Sequence, residues 1–121
     1  MGGAMNFSFD VERVMANVEG DLEFAQELIA VFIEDAPRQI EELRNALAEG
    51  NPEKVRNSAH SIKGAVGNFS KGESWETAFA LECAGKSGDL SRGAALMNDL
   101  QAQLDGLMAE LSRFAQEENV S

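Results

Sequence analysis

Apolar residues recur through most of the chain at gaps of three and four, which is the spacing of one buried face on an α-helix. Turn signals built from Gly, Pro, Asn and Asp separate these runs. The pattern predicts one short helix and four longer ones, at residues 7–19, 22–48, 52–69, 73–86 and 90–114. No alternating strand pattern or internal repeat accompanies them. The sequence therefore predicts an all-α fold, an antiparallel up-down four-helix bundle with an additional short N-terminal helix lying across one end.

The helix boundaries carry recognisable capping residues. Asp10, or Ser8 just before it, is expected to cap the short first helix, and Asp21 is expected to cap the second. Gly50-Asn51-Pro52 combines a helix-ending glycine, an N-cap and a proline suited to the first helical position. Pro37 lies inside the second run, and because the apolar stripe keeps its phase across it, we expect a kink rather than two helices.

The length of 121 residues suits one domain with a single core. We place that domain at residues 7–115, between a flexible leader at 1–6 and a polar tail at 116–121. The predicted core is the set of apolar positions that repeat at helical spacing. In the first, second and fourth helices these are Phe9, Val14, Val18, Ala25, Leu28, Phe32, Ala36, Ile40, Leu43, Leu47, Trp75, Ala78, Phe79 and Leu81. In the fifth they are Leu90, Met97, Leu100, Leu104, Leu107, Leu111 and Phe114.

The third helix places the single histidine of the chain on its polar side. Its apolar face consists of Val55, Ala59, Ile62, Val66 and Phe69. At about 100° per residue, His60 lies roughly 140° from the centre of that face and should point to water. The residues that share its stripe are Arg56, Lys63, Gly64, Gly67 and, if the helix extends far enough, Lys71.

Gly64 and Gly67 need a reason, since a glycine inside a helix costs about 1 kcal/mol relative to alanine. Close approach of a partner beside His60 is one explanation. A helix that ends early, or a neutral substitution, explains them as well. The glycines alone leave these alternatives open.

Composition excludes several classes of function. The net charge of −11 disfavours binding to nucleic acid or to an anionic membrane surface. No apolar run approaches the roughly 20 residues that span a bilayer. Cys83, the only cysteine, cannot form an internal disulfide, which suits a cytoplasmic location, and we expect it to be a small buried hydrophobic residue. One His and one Cys cannot build a zinc shell, so we expect no metal site and no cofactor.

The motif His60-x-x-Lys63-Gly64 on the solvent side of an amphipathic helix resembles that of histidine-containing phosphotransfer (HPt) domains. The resemblance continues through Asn68-Phe69, Leu81-Glu82 and Ser87-Gly88-Asp89-Leu90, and upstream through Val31-Phe32-Ile33 and Ala36-Pro37. It covers residues 7–114. One departure is Ser70-Lys71, which stands where many members of the family have Gly-Ala.

The resemblance implies a phosphocarrier rather than an enzyme. His60 would be the phosphorylated nucleophile, and Lys63 would approach the phosphoryl oxygens. Arg56 and Lys71 would support or steer the partner, and Glu82 occupies a position that often faces the histidine, although a surface carboxylate without a role is an equal reading. The implied partners are response-regulator receiver domains, a hybrid histidine kinase, or both, which supply the aspartate and Mg²⁺ to a monomer.

The sequence leaves two other functions open. The same motif occurs in the N-terminal phosphoacceptor domain of chemotaxis-type histidine kinases, and a kinase domain in the same gene would identify that case. A helical module that docks to a receiver without transferring phosphate is the second alternative. The intact His60 argues against it.

Overall fold

The computed structural model describes residues 9–119, with side chains to residue 116. Within that range the chain forms five helices and no strand: α1 (Val11–Asn17), α2 (Leu22–Glu49), α3 (Pro52–Gly67), α4 (Glu73–Ser87) and α5 (Gly93–Asn119). The all-helical prediction is therefore confirmed. The expected leader at residues 1–6 lies outside the described residues.

The predicted capping residues begin and end the helices. Asp10 accepts a hydrogen bond from the amide of Arg13 at 3.1 Å, and Asp21 accepts one from Phe24 at 3.1 Å. Asn51 caps α3 by accepting from Lys54, and Gly50 ends α2 in the left-handed region at φ 66°. Because Pro37 lies inside a continuous α2, the alternative of two separate helices is wrong.

The ends of α1, α3 and α5 differ from prediction. α1 is shorter than the predicted 7–19, because Asp10 caps it at one end and Val18 ends it at the other. α3 ends at Gly67, where the chain tightens because the amides of Asn68 and Phe69 bond three residues back, to the carbonyls of Ala65 and Val66. α5 begins at Gly93 rather than Leu90, since Asp89 accepts from the amide of Ser91 and holds a turn there. At its other end α5 continues to Asn119, through most of the segment predicted as a polar tail.

One hydrophobic core joins the helices. α3 and α5 each pack against both α2 and α4, and α1 packs against α2. The predicted stripe of α5 is buried from Met97 to Phe114, as are Phe9, Val14 and Val18 of the N-terminal segment. On α2 the buried face includes Ile29 and Ala46, whereas the predicted Leu28 and Leu47 lie at its partly buried edge.

The prediction was wrong for two residues of α4. Phe79 is 43% exposed, and Cys83 is exposed rather than buried. The buried residues of this helix are Ser74, Ala78, Leu81 and Gly85, at gaps of four, three and four. At about 100° per residue, Cys83 lies roughly 160° from Leu81 around the helix, on the side away from the core. Trp75 is partly buried and packs at the edge of the core.

No helix among residues 9–119 combines the length and the apolar character needed to span a bilayer.

Candidate functional site

His60 stands on the outer side of α3. Its neighbours on the opposite side, Val55, Ala59, Ile62 and Val66, are all buried, and this fixes the rotation of the helix. The His60 side chain is 66% exposed. The expectation that this imidazole faces solvent is confirmed.

Glu82 of α4 bridges the two polar residues of the α3 motif. Its Oε2 lies 3.0 Å from Nδ1 of His60, and its Oε1 lies 2.8 Å from Nζ of Lys63. Glu82 and Lys63 are each only 18% exposed, so water screens their ion pair less than it would a fully exposed pair. Of the two readings of Glu82 that the sequence left open, the structure shows the polar contact to the imidazole.

The charge state of Glu82 follows from these contacts. Partial burial by itself would raise the pKa of Glu82, but the hydrogen bonds and charges of Lys63 and His60 together outweigh it. The pKa of Glu82 therefore lies below its ordinary value, and the carboxylate is ionised at neutral pH. An ionised carboxylate only accepts hydrogen bonds, so Nδ1 of His60 must be the donor. In the neutral imidazole the lone pair is then on Nε2.

Lys63 rests on two aromatic rings of α4, Trp75 and Phe79, which we call the aromatic shelf. Its Nζ lies 4.8 Å from the ring centroid of Phe79 and 5.6 Å from that of Trp75. The two rings lie 5.5 Å apart, and Lys71 approaches Trp75 to 5.1 Å. These distances permit cation–π attraction. Phe79 therefore contacts Lys63 at the surface, whereas its hydrophobicity had predicted a position in the core.

Gly64 and Gly67, the two glycines that share the His60 side of α3, have different surroundings. A Cβ atom built at Gly64 would meet nothing within 4 Å. One built at Gly67 would make ordinary contact with the indole of Trp75, at 3.5 Å from its Nε1. The chain's own packing therefore leaves open space beside Gly64, while Trp75 already lies against Gly67.

Positive side chains flank His60 on both sides. Arg56 lines a shallow cleft of about 260 Å³ together with Asn57, His60, Glu82 and Lys86. Lys63 and Lys71 lie towards the aromatic shelf. Glu82 thus contacts both His60 and Lys63, while Arg56 lines the cleft beside His60 and Lys71 lies against Trp75. Over residues 9–119, no group of three or more His, Cys, Asp or Glu residues is placed to hold a metal ion.

A search against protein-family models matches the Hpt domain over residues 27–114. The chain belongs to the Hpt domain family. This makes it a histidine phosphotransfer protein of a two-component phosphorelay. The matched range contains all seven candidate site residues predicted from the sequence, which are Arg56, His60, Lys63, Gly64, Gly67, Lys71 and Glu82.

The fold of this Hpt domain is similar to that of a solved relative, histidine-containing phosphotransfer protein B (HptB) from Pseudomonas aeruginosa PAO1. The two chains share 22% sequence identity at a TM-score of 0.84, over 90% of this chain and 95% of that one. No curated protein matches the sequence. At this identity the likeness shows the fold alone.

Sequence reasoning missed two residues of the Hpt domain that surround the site. Phe79 carries no signal of its own, because a phenylalanine beside other apolar residues indicates a core position. Gly85 did carry a signal, since it is a glycine inside a predicted helix, as Gly64 is. The reason for this glycine is the α3 backbone that lies against it, and the sequence alone does not show that α3 and α4 pack together at this point.

Proposed function

We propose that His60 is the phosphorylated residue of this Hpt domain and that it exchanges a phosphoryl group with receiver-domain aspartates. The observation that carries the proposal is the hydrogen bond from Nδ1 of His60 to Glu82 on an otherwise exposed imidazole. That bond orients the ring and places the free lone pair on Nε2. An oriented neutral imidazole is a competent nucleophile towards phosphorus.

The transfer step uses the two ring nitrogens differently. The Nε2 lone pair attacks the phosphorus of an aspartyl phosphate, and an N–P bond forms as the P–O bond to the aspartate breaks. The bonding electrons leave with the aspartate, which becomes a carboxylate. The imidazole ring gains positive charge while Nδ1 keeps its proton, and the Glu82 carboxylate at 3.0 Å stabilises that charge.

Lys63 would neutralise charge on the phosphoryl oxygens. Its ammonium group lies on the same carboxylate as His60, so it is already held close to the reacting ring. A compact ammonium group is a suitable partner for phosphoryl oxygens. Reaching them requires Lys63 to share or leave Oε1 of Glu82, and the aromatic shelf would support it during that movement.

The partner would supply the remaining chemistry. Phosphoryl transfer depends on positioning and charge neutralisation, usually with Mg²⁺. A receiver domain would bring the metal and its acidic ligands, and this domain acts as carrier rather than enzyme. Arg56 and Lys71 would attract the acidic receiver surface, and Gly64 would allow its close approach, with Gly67 contributing less because Trp75 covers it.

The setting of this function is also part of the proposal. We expect the domain to act as a monomer in the cytoplasm. We also expect helices α2 to α5 to run alternately up and down, since consecutive helices are neighbours joined by short connections.

The decisive experiment is transfer itself. A receiver domain is phosphorylated with labelled acetyl phosphate and Mg²⁺, this protein is added, and label on it is followed with His60→Gln in parallel. We expect acid-labile label on the wild type and none on His60→Gln. Label that persists on His60→Gln would refute the assignment, and no label from any of several receivers would favour the docking-only module.

A further inference from the structure

We propose that Gly85 is a positioning residue for His60, because its missing side chain lets α4 lie against the backbone of α3 and so sets the distance from Glu82 to the imidazole. The inference rests on the proposed role of His60. The proposed effect arises where α3 and α4 cross, and it is indirect, because glycine has no side chain that could touch the phosphoryl group.

The evidence is the space around Gly85, which is buried. A Cβ atom built there would lie 2.5 Å from the amide nitrogen of Arg56 and 2.6 Å from the carbonyl oxygen of Pro52. Real Cβ atoms do not approach other atoms this closely, and both of these belong to the backbone. Since no rotamer change can relieve such a contact, any larger residue would have to push the two helices apart.

Other glycines of the described chain do not share this constraint. A Cβ at Gly106 would meet nothing within 4 Å. One at Gly93 would meet the Cδ2 atom of Leu47 at 2.6 Å, the far end of a side chain that can rotate away. Within residues 9–119, Gly85 is the glycine at which a side chain would collide with backbone at under 3.0 Å.

The crossing is linked to the site by helix geometry. Glu82 precedes Gly85 by about one turn on α4, and His60 follows Arg56 by about one turn on α3. Gly85 therefore meets Arg56 at one level and Glu82 meets His60 at the next. A helix turn is too rigid to absorb a displacement between these levels, so separation at Gly85 is carried to Glu82.

The hydrogen bond has little room for such a shift. Its 3.0 Å length lies within the normal range, which ends near 3.2 Å for a nitrogen donor and an oxygen acceptor. At an unchanged Glu82 rotamer, a displacement of about 1 Å would stretch it to about 4 Å, beyond hydrogen-bond range. Without the Glu82 acceptor, the neutral imidazole would be free to carry its proton on Nε2, and that tautomer has no lone pair there for attack.

The test compares Gly85→Ala with Gly106→Ala, the same substitution at an open helical position far from the site. Nitrogen NMR shifts of the neutral imidazole report the tautomer directly. We expect the Nδ1–H form to dominate in the wild type and in Gly106→Ala, and to lose that dominance in Gly85→Ala. We expect phosphoryl acceptance by Gly85→Ala to slow by about tenfold, the scale of a small misplacement of a reacting group.

A double-mutant cycle with Glu82→Ala, which removes the acceptor of the His60 hydrogen bond, separates positioning from general damage. If Gly85 acts through Glu82, then Glu82→Ala slows the wild type by about tenfold but changes Gly85→Ala by less than about twofold. Equal slowing in both backgrounds would overturn the proposal. So would an unchanged tautomer in folded Gly85→Ala.

Glu82→Asp serves as a second variant that leaves the crossing untouched, in case Gly85→Ala does not fold. It withdraws the carboxylate by one methylene, about 1.5 Å, and should reproduce both the tautomer shift and the slowing. A wild-type tautomer and rate in Glu82→Asp would show that helix spacing does not control the site. The NMR readout needs no phosphorylation, so failure of this inference is distinguishable from failure of His60 as the acceptor.

Discussion

The contact between α2 and α5 and the contact between α3 and α4 are built on different principles. α5 presents large apolar side chains that repeat every seven residues, packed between α2 and α4, and Leu100, Leu104 and Leu111 are at most 1% exposed. The α3–α4 contact relies on small residues, with Ala59, Ala78 and Gly85 buried and the carboxylate of Glu82 at its edge. Large side chains bury more apolar area and so add stability, whereas small side chains allow a short distance between the two helix backbones.

The glycines of the two contacts show the same contrast. Gly93 of α5 faces the flexible end of Leu47 on α2, and Gly85 of α4 faces the backbone of α3. Polar contacts between α2 and α5, such as Arg44 to Gln101 at 2.9 Å, join side chains away from His60. The tightly constrained contact is therefore the one that carries His60, the residue proposed to be phosphorylated. This indicates that stability and site geometry are largely separable in this fold.

Leu104→Ala tests that separation with the largest expected effect. It removes a side chain that is 1% exposed and should lower the free energy of unfolding by about 3 kcal/mol, as buried Leu→Ala changes do. The measurement is urea unfolding followed by circular dichroism. The folded fraction should still accept phosphate at the wild-type rate. A loss below about 1 kcal/mol would mean that the α5 contact does not dominate stability.

The α5 contact could be predicted from sequence, because periodicity alone reports burial when one helix face is uniformly apolar. Six of the seven positions predicted there are buried, and Leu90 is partly buried. The exposure of His60 followed from the same reasoning on α3. On α2 the choice between Leu28 and Ile29 could not be made, since neighbouring apolar residues both fit a broad stripe and only packing selects one.

The exposure and contacts of the α4 residues could not be predicted as well, because several of these residues contact polar or backbone groups of α3. Phe79 supports Lys63, Glu82 binds two residues of α3, and Gly85 admits the α3 backbone. Each of these roles depends on a pairing between helices that single-sequence periodicity does not contain. The family motif compensated in part, since it pointed to Glu82 where the hydrophobic pattern did not.

Glu82→Gln tests the α3–α4 contact, with an intermediate expected effect on stability. The amide still accepts from His60 but loses the ion pair with Lys63, so we expect a loss of about 1 kcal/mol at pH 7. The folded-state pKa of Glu82 is lowered from its ordinary 4.5. Its contribution is therefore fully present above pH 4.5 and is lost as the pH falls through the lower folded-state value.

The measurement is urea unfolding of wild type and Glu82→Gln across this pH range. The two stability curves should lie apart at neutral pH and converge at acidic pH below 4.5. Curves that stay parallel throughout would show that the carboxylate contributes nothing through its charge. Asp89→Asn is a useful control, because the pKa of Asp89 is also lowered, by its hydrogen bonds with Ser91, in the turn after α4 and without contact to Lys63 or His60 in those bonds.

Gly64→Ala and Gly106→Ala have the smallest expected effect on stability and separate the two regions most sharply. Both glycines are exposed, lie inside helices and leave open space where a Cβ would stand. Each substitution should therefore raise the free energy of unfolding by up to about 1 kcal/mol, through the higher helix propensity of alanine. The structure of the isolated chain gives no reason for the two to differ.

A difference in transfer would come only from the partner. If a receiver presses against α3 beside His60, the new methyl of Gly64→Ala meets its surface, and the receiver concentration needed for half-maximal transfer should rise by about tenfold. Gly106→Ala should leave that concentration unchanged. Titration of phosphorylated receiver against both variants measures it. Equal values would mean that Gly64 is not a docking position, and the glycine would then be explained as a neutral substitution.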